Sequence, residues 1–178
     1  PAAAAEGPAG CDGLVALPHL TGAASPEFDS YAKGVFFGIS MKNSRGHFAR
    51  AIMESVAFML RKNLDLLPAL GIEIDEIRSL GGGAKSRLWN QIKADVTGKR
   101  IVTLRSDEVA CLGVAMLAAV ATGVHADLDA AVSAMVFAGD RYDPSPATHR
   151  AYSRGYRTYR RLYDSLRPVF RDPGGESI

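Results

Sequence analysis

Cysteine is scarce in this sequence: Cys11 and Cys111 are the only two. So few, so far apart, build no disulfide framework, and they read as free thiols of a reducing compartment, with a cytoplasmic location expected. Together with the four histidines they show no metal-ligand spacing, which argues against a zinc site. Charge of one sign is also missing. The 21 Lys and Arg against 19 Asp and Glu leave a net +2, too weak a field to favour nucleic acid as a partner of the whole chain. No apolar run reaches the ~20 residues of a membrane span. The longest, 109–124, contains Gly113, Thr122 and Gly123 and reads as a buried core helix. The N-terminus lacks a basic start followed by an apolar core, so no secretory signal is legible. The chain opens on Pro1 without a Met and is read as a piece of something longer. What is present is ordinary: 47% hydrophobic and 22% charged residues over 178 positions, enough for one core.

Residues 1–12 read as a helix end and linker, 13–18 and 35–40 as short extended segments, and 19–29 as a loop. Residues 44–70 predict one long helix, with Phe48, Ile52, Val56, Met59, Leu60, Leu64 and Leu67 at helical spacing. Further apolar residues on its other faces predict burial nearly all round. Glu54 lies in this stretch with Arg50 at i−4, which reads as a structural ion pair in preference to a catalytic carboxylate. After Gly71 a strand runs to Leu80. A helix follows over about 86–96, then a strand at Ile101–Leu104 and a helix from Val109, capped by Ser106-Asp107-Glu108. This β-α-β-α order predicts an α/β layer with parallel strands. A short helix at 128–136, a turn at 141–144 and a last helix at 146–169 complete the chain. The last helix carries Tyr152, Tyr156, Tyr159, Tyr163 and Leu166 on one stripe and Arg150, Arg154, Arg157, Arg160, Arg161 and Arg167 between them. The stripe docks the helix and the arginines form its solvated face. The alternative is a nucleic-acid-binding helix.

The stretch with most chemical content is Gly81-Gly82-Gly83-Ala84-Lys85-Ser86, where a strand turns into a helix. Glycine lacks Cβ, so a ligand can approach the backbone closely there. The helix start that follows offers unpaired N–H groups to an anion. The spacing is neither that of a P-loop nor that of the dinucleotide fingerprint, and a tight turn with close packing would look the same.

Several blocks taken together resemble the FGGY carbohydrate kinases, with xylulokinase-like texture. They are Leu17-Pro18-His19-Leu20-Thr21-Gly22, the 32–40 segment, Arg50 to Phe58, the glycine turn, Trp89-Asn90-Gln91, Ala94-Asp95 and Cys111 to Ala115. They cover about residues 13–125, in order. The resemblance implies a partial actin-like, RNase H-like ATPase lobe with a β-α-β-α core and a long C-terminal helix. Residues 13–170 would be the later part of the nucleotide-binding domain, 1–12 a linker or helix end and 171–178 a tail. It implies transfer of the γ-phosphoryl of ATP, with Mg²⁺, to a sugar hydroxyl, D-xylulose being favoured. Gly82, Gly83 and Ala84 would line the adenine or ribose by backbone contact, and Ser86 or Arg87 would offer a polar contact to the base. The family's Asp-x-Gly-Thr phosphate loop, its Gly-Thr turn and its aspartate base match nothing here. The chain would therefore hold no catalytic residue and no metal ligand. Its partners would be sugar, ATP, a missing N-terminal lobe and further copies in a homo-oligomer, with no nucleic acid or membrane. Where many relatives have Gly-Glu-Arg-x-Pro, this chain has Gly22-Ala23-Ala24-Ser25-Pro26, which leaves that loop without the family's charged pair. A non-catalytic ATP-binding or assembly module of the same superfamily is the remaining alternative.

Overall fold

The computed structural model describes residues 2–106 and 108–172. A short helix, α1 (Ala2–Ala5), leads into strand β1 (Val15–Pro18), which pairs antiparallel with β2 (Gly34–Phe37). Helix α2 (Arg45–Leu64) follows, then β3 (Glu76–Ser79), α3 (Arg87–Thr97) and β4 (Arg100–Leu104). Helices α4 (Val109–Ala121) and α5 (Leu128–Met135), strand β5 (Ala138–Tyr142) and helix α6 (Pro146–Phe170) complete the chain. β3 and β4 run parallel, joined by α3, as the alternating pattern predicts; β5 pairs antiparallel with β4, giving the order β3-β4-β5. β3 thus presents an open edge among the described residues.

The main core lies where β1, α2, α3 and α6 meet. Val15, Leu17, Phe58, Ile92 and Val96 pack against Tyr152, Tyr156, Tyr159 and Tyr163. The tyrosine stripe of α6 is buried, while Arg150, Arg154, Arg157, Arg160, Arg161 and Arg167 are exposed, the arrangement expected of a docked amphipathic helix. Each tyrosine is amphipathic, so its hydroxyl needs a partner if it reaches inside. Tyr152 accepts a bond from Arg50, Tyr156 donates to Asp65 and Tyr163 donates to Asp29. The last of these fastens the 19–32 loop to α6, aided by Arg171 on the same carboxylate.

The structure departs from the sequence expectations in three places. The long helix of 44–70 is α2 plus a separate 3-10 turn, Leu67–Leu70, because Pro68 has no N–H to continue the α ladder. Burial of α2 does run nearly all round as expected: beyond Arg45 at its start only Ile52, 47% exposed, is open to solvent. The turn expected at 141–144 begins inside β5, whose Arg141 and Tyr142 pair with Val102 and Ile101. The apolar helix α4 is not buried. It packs mainly on α5, and Val114 is 68% exposed. The cap expected for α4 falls partly on Asp107, outside the described residues; Glu108 occupies the N-cap position with no side-chain bond. Of the expected tail, 173–178 also lie outside the described residues.

His19 is 2% exposed and neither ring nitrogen has a hydrogen-bond partner. The ring stands edge-on to Tyr163 and tilted to Tyr159. Burial holds its pKa below the ordinary histidine value; the Glu27 and Asp29 carboxylates pull the other way and the Lys62 ammonium adds to burial. The folded chain therefore takes up this proton less readily than the unfolded chain. Stability is full above the unfolded pKa of about 6.5 and falls as pH drops below it. His19→Phe is expected to flatten that acid limb and to raise stability at neutral pH by about 1 kcal/mol, through loss of unsatisfied buried nitrogens. Urea midpoints between pH 5 and pH 8 check this; an unchanged acid limb would show that another group carries it.

Candidate functional site

β3 ends at Ser79 and α3 begins at Arg87, and the glycine stretch occupies the corner between them. The corner is a 3-10 turn, Gly82–Lys85, held by Ala84 N–H donating to Gly81 O and, at 3.4 Å, Ser86 N–H donating to Gly83 O. Ser86 caps α3: its hydroxyl accepts from the Trp89 N–H. Part of the helix start expected to face a ligand is thus satisfied internally.

The three glycines answer to three different demands. Gly81 has φ 71° and ψ −163°, a region essentially confined to glycine. Gly83 is packed from within: a Cβ there would lie 3.1 Å from the Trp89 ring. At Gly82 a Cβ would meet nothing within 4 Å, so its backbone faces open space. The same holds at Gly81, so the two together leave open space at the turn.

Beneath the turn lies a small polar cluster. Asn90, fully buried, donates from Nδ2 to Ala84 O at 2.7 Å and accepts at Oδ1 from Ser79 Oγ at 3.0 Å. Lys93 Nζ donates to the same Ser79 hydroxyl at 3.1 Å and stands 4.8 Å over the Trp89 ring. Burial pushes the Lys93 ammonium below its ordinary range. The Trp89 indole N–H donates to Met53 O, tying α3 to α2.

Beside the turn is a cavity. Ser79, Gly81, Ala84 and Arg87 form one side; Thr103, Ser106, Asp140 and Tyr142 form the other. Of the residues expected from the sequence, Ala84 and Arg87 line this cavity, Gly82 lies on the open rim of the turn, Gly83 faces Trp89 and Ser86 is taken by the cap. Arg87 is therefore the one of the two expected polar residues whose side chain borders the cavity. Thr103 comes beside the turn through the parallel pairing of β3 and β4, opposite Ser79; Asp140 was not legible as a neighbour of the turn, because that requires knowing that β5 exists and pairs with β4. Glu54, the other residue weighed from the sequence, sits away from this corner, bonded to Arg50 and to the Gly10 N–H.

The model of the FGGY family of carbohydrate kinases, C-terminal domain, matches residues 1–122. The chain belongs to that family. It is 32% identical over 169 residues to the xylulose kinase of Staphylococcus epidermidis, covering 95% of this chain and 34% of that protein. Among solved structures, the ligand-bound xylulose kinase of Lactobacillus acidophilus superposes with a TM-score of 0.86 at 27% identity, over 95% of this chain and 34% of that one. The gluconate kinase of the same organism superposes at 0.85, also at 27% identity and with the same coverage. This FGGY chain therefore spans about a third of the length of these relatives, and it shares the actin-like ATPase fold in part. In this FGGY chain no described helix is long and apolar enough to cross a membrane.

Proposed function

We propose that the parent protein is an ATP-dependent sugar kinase and that this chain supplies the adenosine side of its nucleotide cleft. The observation that carries the reading is the open backbone at Gly82, beside a cavity bordered by Arg87, in a chain of the FGGY family. Adenosine would lie against the Gly81–Ala84 turn. The Arg87 guanidinium can donate to ring nitrogens of the base. Xylulose is the favoured acceptor, supported by the named xylulose kinases, while the gluconate kinase likeness keeps the sugar class broad.

Phosphoryl transfer is mostly positioning and charge stabilisation around the γ-phosphate. This chain brings one wall to that task. Among the described residues there is no group of three or more His, Cys, Asp or Glu side chains able to hold a metal ion. A magnesium–phosphate complex and the base acting on the sugar hydroxyl would be held by parts of the protein outside this chain. We read the isolated chain as inactive in transfer. The open edge of β3 and the exposed face of α4 suit completion by further chain or by a second copy, and the free Cys11 and Cys111 suit a cytoplasmic location.

Trp89 is the only tryptophan and its ring touches the turn, so its fluorescence reports occupancy. ATP is expected to change the emission in a saturable way. Gly82→Val, whose Cβ would meet no protein atom within 4 Å, is expected to weaken ATP binding at least about tenfold, a loss of about 1.4 kcal/mol, with little change in the urea midpoint. ATP binding that survives Gly82→Val would move the nucleotide elsewhere.

A further inference from the structure

The glycine turn has little of its own to hold its shape. Gly81 and Gly82 carry no side chain and meet no neighbouring atoms where a Cβ would stand. The backbone bond that closes the turn, from Ser86 to Gly83, is long at 3.4 Å. Glycine also has the widest conformational freedom to lose, so such a turn left alone samples many shapes. A ligand selecting one of them has its affinity reduced by the fraction of time that shape is present.

We propose that Asn90 is the positioning residue of this turn, fixing its shape from beneath by bridging Ala84 O and Ser79 Oγ. Asn90 sits one turn into α3, where its own N–H donates to Ser86 O, so the helix fixes the amide's place. Its carboxamide joins the last residue of β3 to the exit of the turn, and the glycines span the gap between these two points. The Ser79 hydroxyl is itself fixed by Lys93 Nζ, leaving its hydrogen for Asn90 Oδ1. The amide's two ends are thus assigned: a carbonyl oxygen such as Ala84 O can only accept, so Nδ2 must face it. Ser79 and Ala84 line the cavity, whereas Asn90 and Lys93 do not; the role of Asn90 is to pre-organise the backbone that does. This deepens the nucleotide reading above and rests on it for its consequence, though not for its geometry.

The test uses the full 178-residue chain with Asn90→Ala, Asn90→Asp and Ser79→Ala. Asn90→Asp keeps the size but replaces the donor to Ala84 O with a carboxylate oxygen. Two readouts are taken: amide hydrogen exchange residue by residue, and ATP affinity from Trp89 fluorescence. Both Asn90 variants are expected to speed exchange at Ala84 and Ser86 about tenfold or more while the amides of the α6 core keep their protection. ATP is then expected to bind about tenfold more weakly. Ser79→Ala, which leaves the bond to Ala84 O in place, is expected to show the same pattern at smaller size. Unchanged exchange at Ala84 and Ser86 would overturn the proposal. A uniform rise in exchange throughout the chain would also overturn it, since it would make Asn90 a residue of general stability. If the unaltered chain binds no ATP while the local exchange effect is present, the positioning role stands and the nucleotide reading fails.

Discussion

Arg50→Ala is expected to lower the unfolding free energy by about 3–5 kcal/mol, the range for removing one partner of a buried ion pair. Total stability of a domain is about 5–15 kcal/mol, so this single change should shift the urea midpoint a long way. The guanidinium makes bonds in three directions: Nε to Glu54 Oε1 at 2.9 Å, Nη1 to Gly7 O at 3.1 Å and Nη2 to the Tyr152 hydroxyl at 2.8 Å. It thereby joins the N-terminal segment, α2 and α6. Glu54 is 2% exposed, and without Arg50 its carboxylate keeps the Gly10 N–H and the Tyr152 hydroxyl but loses the guanidinium charge that offsets its own. Burial pushes the Glu54 carboxyl above its ordinary range while the bonds from Gly10, Arg50 and Tyr152 pull it down, so losing the guanidinium leaves burial less opposed. The double variant Arg50→Met with Glu54→Leu is expected to cost much less than Arg50→Ala alone, because it buries no orphan charge. A double variant as unstable as the single one would show that the charges themselves stabilise the fold.

Phe58→Ala is expected to cost a further large amount, about 3–5 kcal/mol. Phe58 is 2% exposed and meets the rings of Tyr152, Tyr156 and Tyr159 at centroid distances of 6.4, 5.9 and 5.7 Å. Those tilted and edge-on geometries suit aromatic quadrupoles, so truncation forfeits ring contacts as well as apolar area. The position is also closed on its far side. Gly155 lies in the middle of α6, and a Cβ there would stand 3.1 Å from the Phe58 Cζ. Alanine is worth about 1 kcal/mol over glycine in a helix interior. Gly155→Ala should therefore stabilise the Phe58→Ala background, where the ring has gone, and should give less or destabilise where the ring remains. Denaturant titration of the four variants measures the coupling directly. Equal effects of Gly155→Ala in both backgrounds would mean the ring can move aside.

Much of the fold was legible because it rests on local periodicity. The tyrosine stripe of α6 recurs at helical spacing, so its buried face and its arginine face could both be assigned before any coordinates. The same holds for the β3-α3-β4 unit, whose element types follow from β-branched runs and from Leu88, Ile92 and Val96. Arg50 and Glu54 are one helical turn apart, so their pairing follows from spacing alone. β5 was not legible. Ala138, Gly139 and Asp140 have poor strand propensity, and they are extended because β4 offers them a partner. The exposure of α4 was not legible either, since composition reports how apolar a helix is and not what stands opposite it.

The glycine stretch divides along the same line. The sequence by itself determined that Gly81 to Ser86 is a strand-to-helix corner with room for close approach, and in a family resemblance it marked that corner as the nucleotide side. Glycines look alike in a sequence, and only the tertiary structure decided that Gly81 is there for its dihedral angles, Gly83 for Trp89 and Gly82 for open space. It likewise decided that Ser86 caps a helix while Arg87 borders the cavity, and that Asp140 faces them from a strand remote in the chain. The physical reason is one of range. Propensity and periodicity are set within a few residues, whereas the direction a side chain or a missing Cβ points matters only through what distant segments place in its path.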